Sequence, residues 1–140
     1  MLHLLKRKFA NAIEMTIAVD FDGTIVEDAY PSVGKPKPFA IQTLQMLAKK
    51  HRLILWTCRE GKPLDDAVSF CQQNGIELYA VNKNYPEEDE SSYYTRKIDA
   101  DLYIDDRSLG GLPSWGEIYQ AIEGENGDGD NKSRKWWKIW

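Results

Sequence analysis

MTIAVDFDGT, residues 15–24, decides how this chain is read. A mostly apolar run, Met15 to Val19, passes directly into two aspartates that flank a phenylalanine, and Gly-Thr follows. Side chains two apart on an extended chain point the same way, so Asp20 and Asp22 are expected to face one site while Phe21 turns into the protein. Two carboxylates so close repel each other, and a carboxylate at the margin of a core is costly unless something compensates it. Either both are solvated turn residues or something cationic sits between them. Gly23 permits a sharp exit from the strand with backbone N–H groups exposed, a cradle for an anion.

Working outward, residues 25–37 are polar and irregular, with Pro31, Gly34 and Pro36. Pro38 then opens a helical pattern in which Phe39, Ile41, Leu44, Leu47 and Ala48 share a face. Leu53 to Thr57 is an apolar run of strand length. Pro63 opens a second helix, with Leu64, Ala67, Val68 and Cys71 on one side and Gly75 as its stop. Ile76 to Val81 reads as a third strand, and residues 82–100 as loop with room for one short helix. Ala100 to Asp105 is a fourth strand. A last helix starts at Ser114, where Ser-Trp-Gly-Glu has the capping-box spacing, and ends near Gly124. Apolar strands alternating with helices imply a parallel sheet covered on both faces, an α/β domain of Rossmann-like character. Ligands in such folds bind at the carboxyl ends of the strands. Three of the four strands end in reactive side chains: Asp20, Thr57 and the pair Asp105-Asp106.

Composition narrows the chemistry. A chain of 140 residues is large enough for one domain with a real core. The expected organisation is an N-terminal extension (1–14), a catalytic domain (15–123) and a linker with a basic, tryptophan-rich tail (124–140). Met15 would serve as an alternative start. A formal charge of −4 gives the whole chain no basic bias, so nucleic acid is disfavoured as a partner. The two histidines, His3 and His51, lie away from other candidate ligands, which argues against zinc or histidine-base chemistry. Cys58 and Cys71 have no framework spacing and read as reduced thiols, Cys58 as a packing residue, in a cytoplasmic protein. No apolar run approaches the roughly 18 residues of a membrane span. Four acidic groups, the Thr57 hydroxyl and the cations Arg59, Lys97 and Arg107 at one rim suit phosphoryl transfer assisted by a divalent, oxygen-seeking ion such as Mg²⁺.

DFDGT, a strand ending in Thr57, Lys97, and a strand ending in YIDD resemble, in order, the four motifs of the haloacid dehalogenase (HAD) superfamily. The resemblance spans residues 15–122. It implies a HAD-like three-layer domain with a central parallel sheet. It further implies that Asp20 is the nucleophile that forms an aspartyl-phosphate, and that Asp22 is the acid for the leaving oxygen and then the base for water. Thr57 and Lys97 would hold phosphoryl oxygens. Mg²⁺ would be bound by Asp20, the Asp22 backbone carbonyl and Asp106, with Asp105 acting through water or from behind. Gly23, Thr24 and Arg59 complete the candidate substrate-binding set. Lys83, in VNKN after the third strand, competes with Lys97. A lysine eight residues before the acidic pair resembles the pattern of 5′(3′)-deoxyribonucleotidase-like members. Residues 25–37 and 82–96 are too short for a cap domain, so the site is expected to be open, which suits large substrates or a homo-oligomer whose neighbour covers it.

The expected function is hydrolysis of a small phosphomonoester, such as a nucleotide or sugar phosphate. Two alternatives stand beside it. One is the same chemistry on a macromolecular phosphate, for which the tryptophans of the tail could stack on bases. The other is a non-catalytic, phospho-accepting receiver-like module.

Overall fold

The computed structural model describes residues 14–89 and 97–124. Four parallel strands form one sheet: β1 (Thr16–Val19), β2 (Arg52–Leu55), β3 (Ala80–Val81) and β4 (Leu102–Ile104). Their order is β3-β2-β1-β4. Val19 of β1 stands level with Leu55 of β2 and Ile104 of β4, so the three strands end together. The first three strands step outward in one direction, and the chain then returns to place β4 on the other side of β1. In an open α/β sheet that reversal leaves a crevice at the carboxyl ends of the two strands that flank it, here β1 and β4. The architecture is the expected Rossmann-like α/β domain.

Alternation along β1 sorts its side chains between two cores. Ile17, Val19 and Phe21 join the larger one, to which helices α1 (Ala40–Ala48), α2 (Gly61–Gln73) and α3 (Trp115–Glu123) all contribute. Leu44 and Leu47 of α1, Ala67 and Cys71 of α2, and Trp115 and Ile118 of α3 are buried there. Ala18 faces the other way, with Ile54, Ala80 and Ile98, and Trp56, Tyr79, Ala100 and Tyr103 pack around them. Among the described residues that second face is covered by the irregular segment 97–101 and by aromatic rings rather than by a helix. Trp56 and Tyr103 meet there with ring centroids 5.4 Å apart. By the same alternation Asp20 and Asp105 project on the Ala18–Tyr103 side.

Several local expectations need correcting. Phe39 does not belong to the apolar face of α1. It precedes the helix with a left-handed backbone (φ 64°) and is 69% exposed. The third strand is confined to Ala80–Val81, although Ile76 is buried and the Tyr79 N–H donates to the Leu53 carbonyl. Residues 76–79 approach the sheet without joining its ladder. Helix α2 begins at Gly61, which places Pro63 inside the first turn, where its missing N–H costs nothing. Cys58 is exposed rather than packed, whereas burial pushes the Cys71 thiol up to about 12. The capping box is present: Ser114 Oγ accepts from the Glu117 N–H, and Glu117 Oε2 accepts from the Ser114 N–H. Among the described residues no helix is long and apolar enough to cross a membrane. Residues 82–89 and 97–100 form no helix, in line with the expected loop; residues 90–96 of that segment, the N-terminal residues 1–13 and the tryptophan tail 125–140 lie outside the described residues.

Candidate active site

The turn after β1 is wound tightly by its own backbone. The Phe21 carbonyl accepts from the N–H groups of Thr24, Ile25 and Val26, and the Gly23 N–H donates to Val26. The N–H groups expected to form an anion cradle at Gly23 and Thr24 are therefore engaged within the turn. Gly23 has φ +81°, and a Cβ there would lie 2.3 Å from Asp106 Oδ2. Glycine is needed because a carboxylate from β4 closes on the turn.

Thr24 was expected at the substrate, but it is fully buried and organises carboxylates instead. Its hydroxyl donates to Asp20 Oδ2 at 2.9 Å, lies 3.3 Å from Asp106 Oδ1, and accepts from the Asp106 N–H at 3.0 Å. Trp115 Nε1 donates to the Thr24 carbonyl at 2.9 Å, tying α3 to the underside of the turn. Nothing in the spacing of Trp115, read as the start of a helix, pointed to that role.

Asp20, Asp105 and Asp106 converge. One carboxylate oxygen from each lies within 4.8 Å of the others, and all three residues are half-buried. The Asp20 N–H donates to the Ile104 carbonyl at 2.9 Å, which holds the two strand ends together at the crevice. Burial is the chief reason that the Asp20 carboxyl is pushed up to about 7; the Thr24 hydrogen bond opposes the rise, and Asp106 and Asp105 add to it. An all-oxygen, carboxylate-rich donor set whose members repel one another fits a hard divalent cation.

Asp22 was expected in this set through its backbone carbonyl, with its side chain beside Asp20. The carboxylate turns away. Arg59 Nε donates to Asp22 Oδ2 at 2.8 Å and Arg59 Nη2 to Oδ1 at 2.7 Å, a bidentate pair. Arg59 is 1% exposed, so the expected substrate contact is not what its position shows.

Thr57 follows β2, its hydroxyl accepting from the Arg59 N–H and its own N–H donating to Asn82 Oδ1 at 2.8 Å. Asn82, with φ 54°, thereby fixes the Thr57 segment from the end of β3. Asparagine tolerates that backbone well, which is the one signal the sequence carried for it. The Lys97 ammonium lies 4.5 Å from the centroid of the Tyr103 ring. Tyr103 is one strand repeat, about 7 Å, before Asp105 and projects from the same face. Lys83 instead follows β3, separated from β1 by β2 and hence by about 10 Å. Among the described residues no ion pair joins Lys97 to the carboxylates. A cavity of about 860 Å³ runs between β4 and α3 and includes only Asp105 of the cluster.

No protein-family profile matches the chain, and no curated protein does. A solved structure of a conserved protein from Bacteroides thetaiotaomicron is 54% identical, with a TM-score of 0.74 over 81% of this chain and 93% of that one. The chain belongs to the family of that protein.

Proposed function

We propose that the chain is a Mg²⁺-dependent phosphohydrolase of the HAD type, acting on small phosphomonoesters such as nucleotides or sugar phosphates. The observation that carries this reading is the convergence of Asp20, Asp105 and Asp106 at the β1/β4 crevice, with a second aspartate two residues after Asp20 held separately. The strand order also argues against a receiver-like module, whose sheet follows 2-1-3-4-5 rather than the 3-2-1-4 seen here.

Asp20, Asp105 and Asp106 would hold Mg²⁺, which when bound would supply charge neutralisation at the phosphoryl oxygens. The Asp20 carboxylate attacks phosphorus, the P–O bond to the leaving group breaks, and the departing oxygen takes a proton from Asp22. Asp22 then removes a proton from water, whose oxygen attacks the aspartyl-phosphate and releases inorganic phosphate. Arg59 engages one lone pair of each Asp22 oxygen, so a second site on each stays open to a hydrogen bond from water. Thr57 and Lys97 contact the phosphoryl oxygens. The reduced thiols fit a cytoplasmic setting.

Turnover of p-nitrophenyl phosphate that requires Mg²⁺ and is abolished by chelation tests the reaction. Its complete absence across a panel of phosphate esters would reject it. Lys97→Met should lower kcat by about 100-fold, the scale of one lost preorganised electrostatic contact, and Lys83→Met by less than about threefold. The reverse ranking would move the phosphate-binding role to Lys83.

The raised Asp20 carboxyl also gives a pH signature. In the unfolded chain this group titrates near 3.8 and in the metal-free fold near 7. Between those values the folded state holds the extra proton, so this contribution to stability is present in acid and is lost as pH rises through about 7. The Tm of metal-free wild type should therefore fall relative to Asp20→Asn across that window, by several degrees for a domain of this size. Saturating Mg²⁺ should flatten the difference. Parallel pH profiles for the two proteins without metal would contradict the assignment.

A further inference from the structure

The side chain of Arg59 is committed entirely to the protein. Nε and Nη2 donate to the two Asp22 oxygens; Nη2 also donates to the Ser32 carbonyl at 2.6 Å, and Nη1 donates to the carbonyls of Pro31 and Pro63 at 3.0 Å each. These five acceptors account for the five N–H donors of a guanidinium. The group also sits 5.0 Å from the Phe21 ring centroid and 5.3 Å from that of Tyr30. None of its N–H groups is left for a substrate phosphate.

Three separate segments meet on this one group: the turn carrying Asp22, the strap at residues 30–32, and the first turn of α2. A buried ion pair is weak evidence of a stability role, because apolar replacements often serve as well. What the fork does that an apolar residue would not is fix the plane of a carboxylate. Asp22 leaves a strand end whose previous residue but one, Asp20, belongs to the acidic cluster. Asp22 itself lies outside that cluster, its two oxygens turned to the Arg59 fork. We infer that Arg59 is the positioning residue for Asp22, holding that carboxylate apart from the metal-ligand cluster and locking it to the 30–32 strap. The inference rests on the phosphohydrolase reading for the step that Asp22 performs.

Substitution by lysine keeps the positive charge and loses the planar fork. A misplaced Asp22 harms esters whose leaving oxygen needs a proton more than esters whose leaving group departs unaided. Arg59→Lys should therefore lower kcat on an alkyl phosphate by about 30-fold or more, with a loss on p-nitrophenyl phosphate at least about tenfold smaller. KM for both should stay within about threefold of wild type, and adding Arg59→Lys to Asp22→Asn should cost little more than Asp22→Asn alone. Equal losses on both esters would reduce Arg59 to a structural residue, and a rise confined to KM would make it a substrate contact; either result overturns the inference. If Arg59→Lys does not fold, the Arg59 Nε–H resonance of the wild-type protein decides. Slow exchange with water and a shift on Asp22→Asn support the pairing, and rapid exchange overturns it. Wild-type protein inactive on both esters with Mg²⁺ would remove the phosphohydrolase reading together with this inference, whereas active wild type with equal losses removes this inference alone.

Discussion

Asp20→Asn is expected to lower Mg²⁺-dependent phosphatase turnover by at least about 10,000-fold, the scale for losing a covalent nucleophile. The same substitution should raise the Tm of the metal-free protein near neutral pH. The two effects share one cause. Asp20 lies half-buried against Asp105 and Asp106, and its ionised form is disfavoured enough to push the carboxyl up to about 7. An amide of the same shape keeps the Thr24 contact and relieves the repulsion. On the proposed reading, a metal-binding nucleophile would be held at a cost in stability that Mg²⁺ would offset. The measurement is kcat on p-nitrophenyl phosphate with Mg²⁺, alongside thermal melts with and without the metal. Residual activity within tenfold of wild type would remove Asp20 from its role. Lost activity with an unchanged metal-free Tm would leave the nucleophile but refute the strain.

The sequence showed the sheet and the rim clearly, because both depend on local signals. Apolar strand runs fixed β1, β2 and β4, and Ser114 and Glu117 announced the start of α3. The end of β1 and the end of β4 each carried carboxylates, and strand order alone then placed Asp20 beside Asp105 and Asp106. What stayed hidden depended on contacts between distant segments. Arg59 resembled a surface cation near a phosphate site, since nothing nearby in sequence shows that the carbonyls of Pro31, Ser32 and Pro63 enclose it. Thr24 looked like a substrate residue, while its hydroxyl lies between two carboxylates, one four positions before it and one 82 positions after it. Phe39 was assigned to a core by periodicity, yet the backbone turns left-handed at that residue and the helix begins one step later. The short β3 shows the same limit: Ile76 is apolar and buried, but burial does not require a place in the ladder.

Gly23→Ala should cost about 100-fold or more in turnover and weaken Mg²⁺ activation by about tenfold or more, while Gly61→Ala leaves both near wild type. Both glycines have positive φ, +81° and +57°, so an alanine at either bears the strain of a left-handed backbone, of order 1–2 kcal/mol. They differ in what the new methyl meets. At Gly61 nothing lies within 4 Å, so the strain is the whole effect and appears as a modest loss of Tm. At Gly23 the Cβ would stand 2.3 Å from Asp106 Oδ2 and 2.9 Å from its Cγ, distances that no side chain can keep. The Asp106 carboxylate must then move away from the turn, yet its Oδ1 lies 3.3 Å from the Thr24 hydroxyl, which also holds Asp20. Displacing one carboxylate therefore disturbs two of the three groups that converge at the crevice. Melting curves separate the shared backbone strain from the local clash, and Mg²⁺ titrations of activity report on the cluster. Gly23→Ala with near-wild-type turnover and Mg²⁺ dependence would show that Asp106 need not press against the turn, and its proposed place among the metal ligands would fall with it.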